Sequence, residues 1–359
     1  MVKTSMRWIV KVSAWLLLLA GIMFAAVVLS LRYWLLPDIE QYRADIAASL
    51  SKIAGQQVTI GKIAADWQGL RPHLILGDVQ LYDRNGHPAL FLNHVENTLS
   101  WWSLFVGEIR LSSLLIERPS LLMRRDPQGL IYVAGIIVNR PSQQPGFADW
   151  ILRQHQIVVR DATILWQDDA RQAPPLVLTR VNLRLENKGH RHDFGLRAIP
   201  PAQLAAPLDV RGELIGKTAL DWTGWRGRLY ARLDDSNFGA WHNWLPLPYD
   251  LQSGYGGARV WLDFGAARLL GVSTDLKLRD VKARLADTLP QLDLQSLSGK
   301  LGWRRLARGE EFNATKLSLA LRHGVRVQPT GVTLRLLAAQ GKAQFRRIKF
   351  FAPRQPSPA

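Results

Sequence analysis

Residues Val12 to Leu31 pass without one charged side chain. At ~1.5 Å of rise per residue, a helix over this stretch spans ~30 Å, the thickness of a bilayer's hydrocarbon core. One such segment close to the N-terminus, and no second one, commits everything after it to one side of a membrane. Lys3, Arg7 and Lys11 precede the run, and only Arg32 follows before Asp38 and Glu40. Positive flanks stay cytoplasmic, so residues 1–11 are expected inside, 12–34 as a single-pass transmembrane signal anchor, and the rest outside the cytoplasm. A cleaved signal peptide would have a shorter apolar core followed by a small-residue cleavage site. Here the run ends in Leu31-Arg32-Tyr33-Trp34, whose aromatic pair suits the membrane interface.

The absence of cysteine removes disulfides, thiolate metal sites and cysteine nucleophiles. The net charge of +17 invites a nucleic-acid reading. Its distribution speaks against one. Much of the excess lies at the two ends, with Lys342, Arg346, Arg347, Lys349 and Arg354 in the last stretch and no acid beside them. What remains is diffuse and suits a surface near anionic headgroups. No nucleic-acid partner is expected.

Past the membrane, Pro37-Asp38 reads as a helix start with Asp38 as N-cap. Ile39, Tyr42, Ile46, Leu50 and Ile53 then recur at helical spacing until Gly55, a C′ glycine. This amphipathic helix over 37–55 carries mixed charge on its polar face, which favours a lid on β-structure over an interfacial element. From Gln57 the period becomes two. Val181, Leu183 and Leu185 alternate with Asn182, Arg184 and Glu186; Leu276 and Leu278 alternate with Lys277 and Arg279. Such runs recur every ten to fifteen residues, roughly, which predicts a large antiparallel sheet over 56–340 with one apolar and one polar face. Turns are expected at Asp83–Gly86 and Arg140–Gly146, and a short helix over 147–155. Residues 341–359 lose the alternation and read as a basic, Pro-containing tail, belonging either to a fragment of a longer protein or to a docking segment.

Enzyme signatures are absent: no G-x-S-x-G, P-loop, G-x-G-x-x-G or H-E-x-x-H occurs. His190 and His192 are the one close histidine pair, read as a surface turn rather than a metal site. Asp168-Asp169 and Asp234-Asp235 are read as solvated turn carboxylates rather than acid–base pairs. The fourteen tryptophans fit core filling, edges near a membrane, or sugar stacking. Alternation alone leaves two architectures open, a closed sandwich or barrel with an ordinary core, and an open curved sheet with an apolar groove.

The order of several segments behind the anchor adds to this reading. Ala54-Gly55-Gln56-Gln57-Val58-Thr59-Ile60-Gly61 is followed by Ala65-Asp66-Trp67-Gln68-Gly69-Leu70-Arg71-Pro72 and Leu76-Gly77-Asp78-Val79-Gln80-Leu81. Further on stand Arg125-Asp126-Pro127-Gln128-Gly129, Asp161-Ala162-Thr163-Ile164-Leu165-Trp166 and Asp221-Trp222-Thr223-Gly224-Trp225. The series resembles the AsmA-like envelope proteins, most closely the YhdP branch. That resemblance implies an inner-membrane-anchored periplasmic protein whose elongated, curved antiparallel β-sheet forms an open hydrophobic groove. It further implies non-enzymatic phospholipid transport toward the outer membrane, this chain being the membrane-proximal section. The expected partners are phospholipid acyl chains and the inner membrane, with no catalytic residue, metal or cofactor. The candidate lining residues are Val181, Leu183, Leu185, Leu276 and Leu278. The alternative is an anchored scaffold or outer-membrane assembly factor that binds another envelope protein.

Overall fold

The computed structural model describes residues 2–82, 86, 88–103, 110–137, 147–218, 221–244, 250–284, 288–322, 324–339 and 342–351. The turn residues Asp83–Asn85, the loop Arg140–Gly146 and everything after Phe351 lie outside them. Helix α1 (Val2–Ser30) widens into a π turn over Leu31–Leu35, closed by the Leu36 N–H donating to the Leu31 carbonyl at 2.9 Å. Within it Lys11–Leu35 is long and apolar enough to cross a membrane. A 3-10 turn at Ile39–Tyr42 leads into α2 (Arg43–Ala54), which stops at Gly55 with φ 67° as its C′ position requires. Asp38 precedes the first turn, but its side chain makes no capping bond. Helix α2 acts as the expected lid: Ile46, Ala47, Leu50 and Ala54 pack on buried Val58, Ile60, Ile63, Leu74 and Leu76 of the sheet below.

Among the described residues that sheet has 18 strands. It begins with β1 (Val58–Gln68), β2 (Arg71–Tyr82), β3 (Pro88–Leu99), β4 (Leu111–Glu117) and β5 (Ser120–Arg125). The short β6 (Ile131–Val133) and β7 (Ile136–Ile137) form a side branch on β5, and α3 (Phe147–Arg153) follows. The body then runs as a meander through β8 (Gln156–Asp168), β9 (Ala173–Lys188), β10 (Arg191–Ile199), β11 (Leu208–Ile215), β12 (Arg226–Asn237) and β13 (Asp250–Gly265). It continues with β14 (Arg268–Arg284), β15 (Leu292–Leu306), β16 (Gly309–Leu321), β17 (Arg326–Ala339) and β18 (Lys342–Phe351).

Two expectations need correction. The sheet is mixed, because β4 and β5 both run parallel to β8. The connection through α3 is long enough for the crossover that parallel neighbours require. The second concerns the tail. Residues 342–351 form a strand, paired from Ala339↔Lys342 to Gly331↔Phe351. The register slips where Arg335 faces Arg347 and Leu336 faces Phe345. Arg346 is thus an extra residue, and it breaks the period-two pattern that would have revealed the strand.

Similar slips recur across the body, and they curve the sheet. Register shifts fall at Val159/Ala162, Leu233/Ser236, Ser253/Tyr255, Ser298/Lys300 and Ala314/Leu317. Residues with positive φ sit at or near this line: Asp161 (53°), Arg180 (46°), Asp235 (42°), Asp280 (52°) and Lys316 (54°). A bulge adds one residue, bends its strand and raises the local twist. Because the extra residue resets the alternation, apolar side chains three apart stay on one face. Val159 with Ala162, and Leu178 with Val181, share one cluster; Leu278 with Val281 share another. Gly256 (φ 147°) and Gly299 (φ 142°) stand at close approaches of neighbouring backbone, where a Cβ would meet the Lys277 carbonyl oxygen at 2.1 Å and Leu317 Cα at 2.8 Å. The line of bulges forms a crease along the sheet and makes it a trough.

Candidate functional site

The registers align apolar side chains across strand after strand. One row runs Leu185, Phe194, Gly212, Leu229, Leu262, Val272, Trp303, Phe312 and Leu334 from β9 to β17. A Cβ on Gly212 would stand 2.2 Å from the Phe194 ring, so that ring fills the place the glycine leaves. The next row runs Leu183, Leu196, Val210, Ala231, Val260, Thr274, Leu301, Ala314 and Val332. Both rows lie perpendicular to the strands and so along the trough. In a two-layer domain such residues would be fully buried by the facing layer. Here Phe194, Leu196, Leu229, Leu262 and Trp303 stay half-buried, and Leu301 and Phe312 remain 36% and 38% exposed. Of the two architectures open to the alternation, the structure has the uncovered one.

The opposite face is a lattice of ion pairs. Arg184 pairs with Glu186 at 2.6 Å, Arg211 with Asp209 at 2.8 Å, Arg228 with Asp263 at 2.7 Å and Arg304 with Glu311 at 2.9 Å. The adjacent guanidiniums hold these carboxyls below the usual range: hydrogen bonding from Arg184 for Glu186, from Arg211 for Asp209, and from Arg335 for Glu311. One face therefore stays charged in water at any physiological pH, while the other offers hydrocarbon.

The sequence-predicted lining residues all belong to the apolar face, with different access. Leu183 and Leu276 are half-buried in the open stretch. Leu185 packs against the cluster under α2 and α3, and Leu278 against the crease cluster around Val281. Val181 is 1% exposed, sealed between Ala162 and Ala198, and serves the crease rather than the surface. The alternation test missed Phe194, Leu229, Trp303 and Phe312, because glycines and bulges interrupt the pattern around them. Cross-strand register was the signal that would have found them.

Several polar residues turn out differently from the sequence reading. His190 is exposed in the β9–β10 turn, but His192 is fully buried and stacked on Trp225 with ring centroids 5.2 Å apart. Its Nδ1 lies 2.6 Å from Asn187 Oδ1 and its Nε2 3.2 Å from the Gly216 carbonyl. Asp168 is no solvated turn acid. It is buried, accepts from Arg125 Nε at 2.8 Å and from a second nitrogen of the same guanidinium, and accepts from the Arg171 N–H at 3.2 Å. Asp234 pairs with Arg232 at 2.7 Å, and Asp235 supplies a bulge. Trp241 and Trp244 fill the rim with their indole N–H groups donated to Ser236 Oγ and the Pro174 carbonyl, both at 2.9 Å. Among the described residues no group of acids and histidines could hold a metal ion.

A family described as YhdP protein matches residues 1–355 of the chain. No curated protein matches, and no solved structure does.

Proposed function

Since the chain belongs to the YhdP family, we propose that it is a section of a lipid conduit, with acyl chains lying along the uncovered apolar rows of the sheet. The observation that carries this reading is the alignment of those rows from β10 to β17 with no covering layer among the described residues. A sixteen-carbon chain exposed to water is unfavourable by ~13 kcal/mol, taking ~0.8 kcal/mol per methylene. An apolar trough removes most of that cost with no covalent step and no cofactor, so lipid needs a surface here and not a catalyst. Strands ~4.8 Å apart give the path from β1 to β18 a length of ~70 Å. The basic flank Lys3, Arg7 and Lys11 supports an N-terminus in the cytoplasm, the sheet in the periplasm and α1 in the inner membrane. The chain is then the section nearest that membrane, passing phospholipid toward the outer one.

Photo-crosslinking residues placed singly at Leu183 and Arg184 test this directly, since the two neighbours point to opposite faces. Lipid adducts are expected at Leu183 and not at Arg184. Protein adducts at Leu183 with no lipid would reject the conduit in favour of an anchored scaffold for another envelope protein.

A further inference from the structure

Two contacts between α1 and the sheet set how deep one corner of the sheet sits. The Arg32 guanidinium lies 5.8 Å over the Trp67 ring. The Phe24 ring meets the Trp101 ring edge-on at 5.0 Å. Arg32 is near the end of the apolar span Lys11–Leu35, whereas Phe24 is well within it. Eight residues of helix separate them, or ~12 Å along the axis. Trp101 therefore lies nearer the bilayer centre than Trp67. The strands agree: from Trp67 the chain runs on through Gln68 and Gly69 to Leu70, a reach of ~10 Å at the strand rise. The tip of the β1–β2 hairpin and Trp101, just after β3, both lie toward the layer that α1 crosses.

What these loops present fits that layer. Leu70 is 69% exposed and Trp102 65% exposed, which is costly in water and not in lipid. The base of the second loop satisfies its own backbone. Ser100 N–H and Ser103 Oγ both donate to the Arg110 carbonyl at 2.9 Å, and the Arg110 N–H donates to Ser103 Oγ at 2.9 Å. A segment in hydrocarbon has to make such bonds internally. Between the two loops, on the polar face, opens a cleft of about 550 Å³ whose lining among the described residues includes Gln68, Arg71, Thr98, Ser113, Trp101 and His155 and no carboxylate. Among the described residues the nearest acids along the strands, Asp66 and Glu96, are engaged by His73 at 2.6 and 3.7 Å. A polar, cationic cleft at this depth calls for an anionic occupant that also belongs to the membrane.

We propose that this corner is a second membrane-contact site, in which Leu70, Trp101 and Trp102 enter the leaflet nearest the sheet and the cleft around Arg71 holds a phospholipid phosphate. It rests on α1 crossing the bilayer and is independent of transport along the trough. The chain has no cysteine, so single cysteines can carry an environment-sensitive fluorophore without background. Full-length chain with Leu70→Cys, Trp102→Cys, Leu19→Cys or Lys188→Cys is reconstituted into phosphatidylcholine–phosphatidylglycerol vesicles bearing brominated acyl chains. Leu19, at mid-span, reports that α1 has inserted, and Lys188 reports the aqueous rim. Labels at Leu70 and Trp102 are expected to be quenched at least half as strongly as at Leu19, and the label at Lys188 not at all. Quenching at Leu19 alone overturns the proposal. Adding Arg71→Gln to the Leu70 label is expected to reduce its quenching about twofold, with Arg71→Lys restoring most of it. An unchanged Arg71→Gln variant, or displacement by free inorganic phosphate, overturns the assignment of the cleft to a lipid headgroup.

Discussion

His192 shows how much a single residue at the edge of the apolar face has to reconcile. Asn187 donates its amide N–H groups to the Ile151 and Gln154 carbonyls at 3.0 and 2.6 Å, so its Oδ1 is left to accept from His192 Nδ1. A neutral imidazole has only that one N–H. Nε2 then meets the Gly216 carbonyl without a proton to share. Burial is the main cause that pushes the His192 pKa below its ordinary value of 6.5, and the Gly216 carbonyl offsets this only in part. The unfolded chain thus takes up a proton at a pH where the folded one does not. Stability is complete above about pH 6.5 and falls as the pH drops from there toward the folded pKa, by at most ~1.4 kcal/mol per pH unit for one proton. His192→Gln is expected to cost about 1–2 kcal/mol at pH 7.5 through the weakened bond to Asn187. The gap to the unsubstituted protein should then narrow between pH 6.5 and 5.5. Urea unfolding followed by tryptophan fluorescence, with Trp225 stacked on this ring, reads both effects. A constant gap across that range would mean that another group carries the acid sensitivity.

Among the elements, the bulged strand is the unit that shapes the trough. A non-glycine residue in the left-handed region is strained by about 1 kcal/mol, and aspartate tolerates it better than most. Asp161, Asp235 and Asp280 hold three of these positions. Asp161→Val puts a β-branched side chain at φ 53° and is expected to destabilise by about 2–3 kcal/mol, whereas Asp161→Gly should stay within ~1 kcal/mol of the parent. Thermal melts of the two variants decide it. Equal losses would show that the aspartate side chain matters more than the backbone conformation.

The same elements explain what the sequence could and could not disclose. Strands such as β9 and β14 announce themselves by alternation, α2 by its three-and-four spacing, and Gly55 by its place after the last apolar turn. The bulges are written in the chain too, as steps of three between same-face residues: Val159 to Ala162, Leu178 to Val181, Leu278 to Val281. A step of three in a strand also looks like the end of a strand, so each crease position reads as a boundary until the partner strand supplies the register. β18 is hidden in the same way by Arg346. Val181 could not be told from Leu183 by pattern, because burial at the crease depends on Ala162 and Ala198 from two neighbouring strands. The parallel pairing of β4 and β5 with β8 leaves no local mark at all.

For the molecule as a whole, the proposed conduit places its strands in series. On that proposal, lipid moving from the α1 end passes Leu183 on β9 before it reaches Leu276 on β14. A carboxylate set into such a path must be desolvated against hydrocarbon, which costs several kcal/mol, and each 1.4 kcal/mol is a factor of ten in rate. Leu183→Asp and Leu276→Asp should each slow the arrival of pulse-labelled phospholipid at the outer membrane by at least about tenfold, in cells that depend on this chain. The double variant should be hardly slower than the worse single one. Lys277→Glu, on the charged face beside Leu276, should leave the rate unchanged, and circular dichroism of each variant guards against loss of fold. A scaffold that holds a partner at one patch predicts something else: one of the two leucines would matter, the other would not, and their effects would not saturate. The series behaviour follows from strand order, since the rows run side by side along one trough and a path on any of them meets β9 before β14.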